Sequence, residues 1–330
     1  MPNYADLTIC TVSFNSKPWL ELNWALAVRQ NPDFTINWII AENSPPESTL
    51  KLAENDPRFT VIPGAVFEKR PHATGSYHHA AGMNKTLPHI NSCYALFLDP
   101  DFFIIRTQWI SAIISHMQAN DLAFLGVPWH PRHVLKPRYF PCVHCMVVDL
   151  EKIPLAALDF SPDYATLPAY KKPRTASVIG RALRLLRKRL DPFQLRERHS
   201  IGASRDVSWH IHARYFGHPY YRVECLQPVF RPRPSWLQYH LEKRLPDRLS
   251  FIPKKVGYFT ENGFRERGLI DLDSLGWEEF IWQEQPFGFH LRAHPKMTSK
   301  GSMDIYSHHA RLVEFLKRPQ TQVPAMVLAS

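Results

Sequence analysis

Two aspartates one residue apart, Asp99 and Asp101, follow the apolar run Tyr94-Ala95-Leu96-Phe97-Leu98, and a second apolar run, Phe102-Phe103-Ile104-Ile105, follows them. An apolar run of this kind suits a strand buried on both faces. Side chains alternate along extended backbone, so the two carboxylates point to one side. Pro100 between them fixes φ and has no N–H to donate, which fits a strand end. Paired carboxylates at a buried strand tip are oxygen ligands for a hard divalent cation, and open α/β sheets bind ligands at such tips. The competing reading is an Asp-Pro turn that only ends a strand.

Three further stretches could carry chemistry. In the segment from Gly202 to Gly217, Ser204 can cap a helix that carries Trp209, Ala213 and Phe216 on one face and stops at Gly217. Asp206 then falls in the first turn, where the helix dipole favours an ionised carboxylate. It is either a proton acceptor or an ordinary cap. Phe287-Gly288-Phe289-His290-Leu291-Arg292-Ala293-His294 sends both histidines to one side of a strand. Cys142-Val143-His144-Cys145 falls within a strand expected over 140–148, where positions three apart face opposite sides, and it holds half the ligands of a closed zinc site. It is read as no metal site. His78 and His79 are read as structural helix histidines, and Trp129 in the rigid stretch 127–133 as either plain packing or the wall of a binding site.

The elements that must position these groups alternate. Residues 7–14 read as a strand, 18–30 as a helix opened by Pro18 and stopped by Asn31-Pro32, and 34–41 as a strand. A helix over 47–54 and a strand over 59–62 follow. Residues 75–87 form a helix entered from a glycine turn. The Asp99/Asp101 strand comes next, then a helix over 107–120 capped by Thr107 or Gln108, and a strand over 122–127. The order is that of a parallel sheet with helices on its faces.

With that order in place, the chain resembles the family-2-type glycosyltransferases of the GT-A fold. Val12-Ser13-Phe14-Asn15 is similar to the family's first-strand ending and Glu42-Asn43-Ser44 to its Asp-Asn-x-Ser element, with Glu for Asp. Gly75, Ala81 and Asn84 match its glycine-helix-asparagine stretch, over a longer interval than usual, and Asp99-Pro100-Asp101 its Asp-x-Asp motif. The resemblance covers about the first 130 residues. It implies an α/β fold, Rossmann-like, with a mostly parallel central sheet flanked by helices. It implies a nucleoside-diphosphate-sugar donor, with Mn²⁺ or Mg²⁺ bridging Asp101 and the diphosphate and Asp99 nearer the ribose. Glu42 would face the nucleobase, with Asn15 and Asn84 on the donor side. A C-terminal histidine, His290 or His294, would complete the metal shell. Asp206 would be the general base of an inverting transfer to a glycan or lipid-linked hydroxyl. Two alternatives stay open. One is a nucleotidyltransferase of similar topology, although Val12-Ser13-Phe14-Asn15-Ser16-Lys17 lacks its Gly-rich phosphate loop. The other is a non-catalytic scaffold of the same fold.

The 330 residues, 45% hydrophobic and 21% charged, describe a globular chain able to bury a large core. No apolar stretch reaches the roughly 18 residues of a membrane span. Five scattered cysteines make no disulfide framework, and no basic, apolar leader opens the chain. The expected location is cytoplasmic. The net charge of +10 is concentrated in 171–198, which holds ten Lys or Arg against Asp191 and Glu197. Within it, 176–190 reads as a basic amphipathic helix, either packed on the domain or lying on an anionic membrane at its inner face. Nucleic acid is excluded as a partner, because no aromatic residues interleave the cations. The expected organisation is a glycosyltransferase domain over 1–255, with a nucleotide-sugar half (1–105) and an acceptor half (106–255) bearing a basic insertion (165–200). A C-terminal extension over 256–330 packs on it.

Overall fold

A computed structural model describes residues 7–65, 74–130, 139–163, 205–229 and 277–291. The basic insertion, the 176–190 segment, Ser204 and His294 lie outside these residues.

Strand β1 (Leu7–Ser13) is buried along its whole length and runs parallel to β2 (Asn37–Glu42) and to β4 (Tyr94–Leu98). β3 (Thr60–Pro63) adds to β2 in parallel. On the other side β4 pairs antiparallel with β7 (Cys145–Asp149), which pairs antiparallel with β6 (Leu122–Gly126), and β8 (Arg222–Cys225) joins β6 in parallel. The sheet order is β3-β2-β1-β4-β7-β6-β8, and only β7 runs against the rest. This is the expected α/β architecture, a mostly parallel central sheet flanked by helices.

The central strands are apolar throughout because both faces are covered. Odd positions of β1 (Leu7, Ile9) and even positions of β4 (Leu96, Leu98) face the helices α1 (Lys17–Gln30) and α3 (Trp109–Ala119), through Leu20, Ala27, Ile110 and Ile113. Cys10, Val12, Ala95 and Phe97 face the other way, against α2 (Thr74–Thr86) and α4 (Trp209–Tyr215), through Ala80, Met83, Ile211 and Tyr215.

A second sheet, β5-β11-β10-β9, is antiparallel: β5 (Phe102–Ile104), β11 (Gln285–His290), β10 (Glu278–Trp282) and β9 (Gln227–Val229). The expected strand through Asp99 and Asp101 is therefore two strands in two sheets. β4 ends at Leu98, and Asp99-Pro100-Asp101 is the turn that hands the chain over, closed by the N–H of Phe102 donating to Asp99 O at 3.0 Å. Buried Asn23 of α1 braces it, its Nδ2 donating to Pro100 O at 2.9 Å and Phe102 O at 3.1 Å. Gly288 lets β11 approach closely, since a Cβ there would lie 2.6 Å from Phe103 O.

Three local expectations fail. Residues 47–54 form turns instead of a helix. Ser48, Lys51 and Asp56 N–H groups donate to Pro45, Ser48 and Ala53 carbonyls, while the Glu42 and Ser48 side chains accept from Leu52 and Leu50 N–H. Those side-chain acceptors compete with helical bonding. The strand expected over 140–148 begins only at Cys145, because Val127 and Cys142 draw the preceding residues into a turn: Cys142 N–H donates to Val127 O and Cys145 N–H to Cys142 O. The last is a helix start. α4 starts at Trp209 with Ser208 as its N-cap in the left-handed region (φ 65), so Asp206 precedes the helix and is not in its first turn.

Candidate active site

The parallel strands β1, β2 and β4 end along one edge of the sheet, and β1 lies between β2 and β4, where the strand order reverses. A crevice opens at such a switch point because the connections leave to opposite faces. Asp99 sits at this edge, buried, at the end of β4. Its Oδ2 accepts from His144 Nδ1 at 2.5 Å, and its Oδ1 lies 3.3 Å from His79 Nε2. Asp101 Oδ1 accepts from His290 Nε2 at 3.1 Å, and that nitrogen is 4.0 Å from Asp99 Oδ2. His290 Nδ1 donates to Glu278 Oε2 at 3.2 Å. The rings of His144 and His290 lie 4.4 Å apart at 32°.

The structure thus brings Asp99, Asp101 and His290 together and adds His144, His79 and Glu278. His144 reaches Asp99 because the 142–145 turn delivers it there, and Asp99 N–H donates to His144 O at 3.1 Å. Its signal in the sequence was a histidine inside an apolar run, overshadowed by the two cysteines beside it. Burial pushes the Cys142 and Cys145 thiols well up, so both stay protonated. Glu278 was legible only as an acid between aromatic residues.

Burial alone would raise the Asp99 carboxyl, but the positive charge of His144 and His79 and the bond from His144 outweigh it and hold Asp99 below the usual carboxylate range. Burial would likewise lower His290, yet the charge and bond of Asp101 and the bond of Glu278 raise it to about 10. Carboxylates thus face both ring nitrogens of His290, which favours its protonated form.

One ligand atom from each of Asp99, His144 and His290 lies within 4.8 Å of the others, all three residues being buried. Ligands about 2.1 Å from a common ion lie at most about 4.2 Å apart, so a small side-chain adjustment would close the three around one ion. His144 Nε2 is buried without a hydrogen-bond partner among the described residues, and Asp99 Oδ1 has only its ion-pair contact with His79. Buried polar atoms left in that state mark a place for an ion or water. These residues fit a divalent cation.

The other expected site residues brace loops. Glu42 ends β2 opposite Ser13 of β1, and its two oxygens accept the N–H groups of Ser44 at 2.8 Å and Leu52 at 2.9 Å. Asn15, at φ 53, donates its N–H to Ser44 Oγ at 2.7 Å and accepts from Ser48 Oγ. The two together shape the 43–52 loop at the strand tips. Asn84 accepts from Phe160 N–H at 2.9 Å and donates to Asp159 and Ser161. It pins a loop that in turn holds the Asp206 segment, through Ser208 N–H to Phe160 O at 2.9 Å and Arg205 to Asp163 at 2.7 Å.

Asp206 lines a cleft with Trp129, Phe140, Cys142, Trp209 and His212. Trp129 also stands edge-on to His144, with ring centroids 4.5 Å apart, so one wall of the cleft is the back of the histidine centre. A carboxylate, an aromatic wall and a carboxylate–imidazole cluster capable of holding a cation are thereby adjacent.

No protein-family model matches this chain, and no curated protein sequence matches it. Among solved structures it is similar to the mannosyltransferase PcManGT from Pyrobaculum calidifontis in complex with GDP-Man and Mn²⁺, at 13% identity and a TM-score of 0.33, over 48% of each chain. It is similar to S. aureus TarS at 12% identity and a TM-score of 0.33, over 47% of this chain and 50% of that one. An active-site mutant of LgtC matches at 11% identity and a TM-score of 0.39, over 92% of this chain and 95% of that one. The chain spans about half the length of the first two structures.

Proposed function

We propose that this protein is a metal-dependent, inverting glycosyltransferase of the GT-A fold, which moves a sugar from a nucleoside-diphosphate sugar to a hydroxyl of a glycan or lipid-linked acceptor. The observation that carries this reading is the convergence of Asp99, Asp101, His144 and His290 at the switch-point edge of the sheet. Asp99, His144 and His290 would hold a divalent cation, with Asp101 beside it. When bound, such an ion offsets the negative charge that builds on the departing diphosphate. Two imidazoles in the donor set favour Mn²⁺ or another transition ion over Mg²⁺, which prefers oxygen ligands.

The chain's own residues do the rest. Asp99, ionised by its histidine surroundings, supplies fixed negative charge to the cation site. Asn15 and Glu42 present the 43–52 loop to the nucleobase, and each Glu42 oxygen keeps a lone pair beyond its backbone bond. Asn84, through the 159–163 loop, sets the position of Asp206. Asp206 takes the proton of the acceptor hydroxyl on a carboxylate oxygen as that hydroxyl attacks, and Trp129 and Trp209 offer apolar faces to the acceptor ring. The paired strands β10 and β11 lie beyond residue 255, in the stretch assigned to the extension, and support its packing on the catalytic domain through β5 and β9. The basic segment 176–190 would bring the enzyme to an anionic, cytoplasmic membrane face where a lipid-linked acceptor is presented. No helix among the described residues is long and apolar enough to cross a membrane.

The test is release of nucleotide from a panel of UDP- and GDP-sugars with Mn²⁺. Release by the wild-type chain, lost in Asp206→Asn, supports the reading. No release from any donor with any acceptor class argues for a scaffold.

A further inference from the structure

Glu278 opens β10 and has no exposed surface (0%). It stands beside Trp277 and Phe280, both buried, in the aromatic packing of the second sheet. An ionised carboxylate there gives up its hydration and persists only where partners compensate. An apolar residue of similar size would fill the space without that penalty. The register of the sheet supplies the reason for the acid. Glu278 lies directly opposite His290 in the β10–β11 pair, and its Oε2 accepts from His290 Nδ1 at 3.2 Å. The other nitrogen of the same ring faces Asp101 Oδ1 at 3.1 Å and Asp99 Oδ2 at 4.0 Å. His290 is thus strung between one carboxylate behind it and two in front. Phe102 and His144 close its sides, at centroid distances of 6.2 Å and 4.4 Å.

We propose that Glu278 is the positioning residue of the metal centre: it keeps a proton on Nδ1 of His290 and fixes the ring, so that Nε2 is presented to the cation. This inference rests on the metal-binding part of the proposed function. An imidazole can ligate through Nε2 only when that nitrogen carries its lone pair, and an acceptor at Nδ1 selects that form and stops the ring from turning. Removing such a partner typically weakens metal binding about 10–100-fold.

The experiment is a Co²⁺ titration of the full chain, read by the visible absorption of the bound ion. The wild type is compared with Glu278→Gln, Glu278→Leu, His290→Gln and the double variant Glu278→Gln/His290→Gln. Wild type should bind Co²⁺ with a defined band pattern. Glu278→Gln, which keeps shape and an acceptor but loses charge, should bind about 10-fold more weakly, and Glu278→Leu about 100-fold, both with shifted bands. The double variant should match His290→Gln alone, because Glu278 acts through His290. Should the Leu variant fail to fold, the Gln variant and the double variant decide. Unchanged affinity and bands in Glu278→Gln would overturn the proposal. So would a further loss when Glu278→Gln is added to His290→Gln, which would make Glu278 general structural support. Absence of Co²⁺ binding by the wild type would instead remove the metal reading itself, and this inference with it.

Discussion

His290 Nε2 lies 3.1 Å from Asp101 Oδ1, joining residues 189 positions apart. The contact exists because the chain changes sheets at Asp99-Pro100-Asp101. β4 carries Asp99 to the edge of the parallel sheet, and β5 then pairs with β11, whose last residue is His290. Asp101→Asn keeps the shape of this turn and removes its charge. It should lower kcat/KM by about 10²–10³-fold, the scale of a lost charge-stabilising group, with an unchanged circular dichroism spectrum. Near-normal transfer by this variant would remove Asp101 from the reaction.

The donor set predicts which metals work. With two imidazoles at the centre, Mn²⁺ should bind at least about 10-fold more tightly than Mg²⁺, and His144→Gln should narrow that gap. Calorimetry with each ion on chelator-treated protein measures it. Equal affinity for the two ions, untouched by His144→Gln, would take His144 out of the coordination shell.

Much of this centre was legible in the sequence, and the missing part depends on tertiary contacts. The paired aspartates announced a strand tip, and the alternation of strands and helices announced the parallel sheet that ends there. The aspartates point toward one centre as expected, but through a turn between two sheets braced by Asn23, a contact between α1 and the turn that no local pattern reports. His144 and Glu278 were hidden by contacts of that kind. His144 is carried to Asp99 by a turn inside an apolar run, and Glu278 meets the centre only because its hairpin partner His290 reaches Asp101 across the sheet change at β5. The helix expected over 47–54 failed because Glu42 and Ser48 spend their side chains on that backbone.

Asp206 separates chemistry from binding. In Asp206→Asn, donor and metal affinity should stay within about twofold of wild type while kcat falls about 10²–10⁴-fold, the usual contribution of a general base. A lower melting temperature with normal kcat in the folded fraction would make Asp206 a structural residue of the turn before α4.

His212 predicts a pH dependence of stability. Burial against Phe140, Trp209 and Phe216 pushes its pKa down from 6.5 to about 4, and its Nδ1 has no partner among the described residues. The folded protein therefore holds it neutral where the unfolded chain binds a proton. Its contribution is complete above pH 6.5 and is lost as pH falls from 6.5 toward 4, by on the order of 3 kcal/mol in total. Denaturation midpoints across that window should fall with pH in the wild type and fall less in His212→Phe. Parallel slopes in the two proteins would contradict this.

In the proposed function these residues hold a nucleotide through a divalent cation. The most direct measurement is calorimetric titration of the full chain with UDP and with GDP, each in Mn²⁺ and in chelator. Saturable binding of at least one nucleotide is expected in Mn²⁺, lost in chelator and weakened at least about 10-fold in Asp101→Asn. Failure of both nucleotides to bind in Mn²⁺, or binding indifferent to Mn²⁺ and to Asp101, would contradict it.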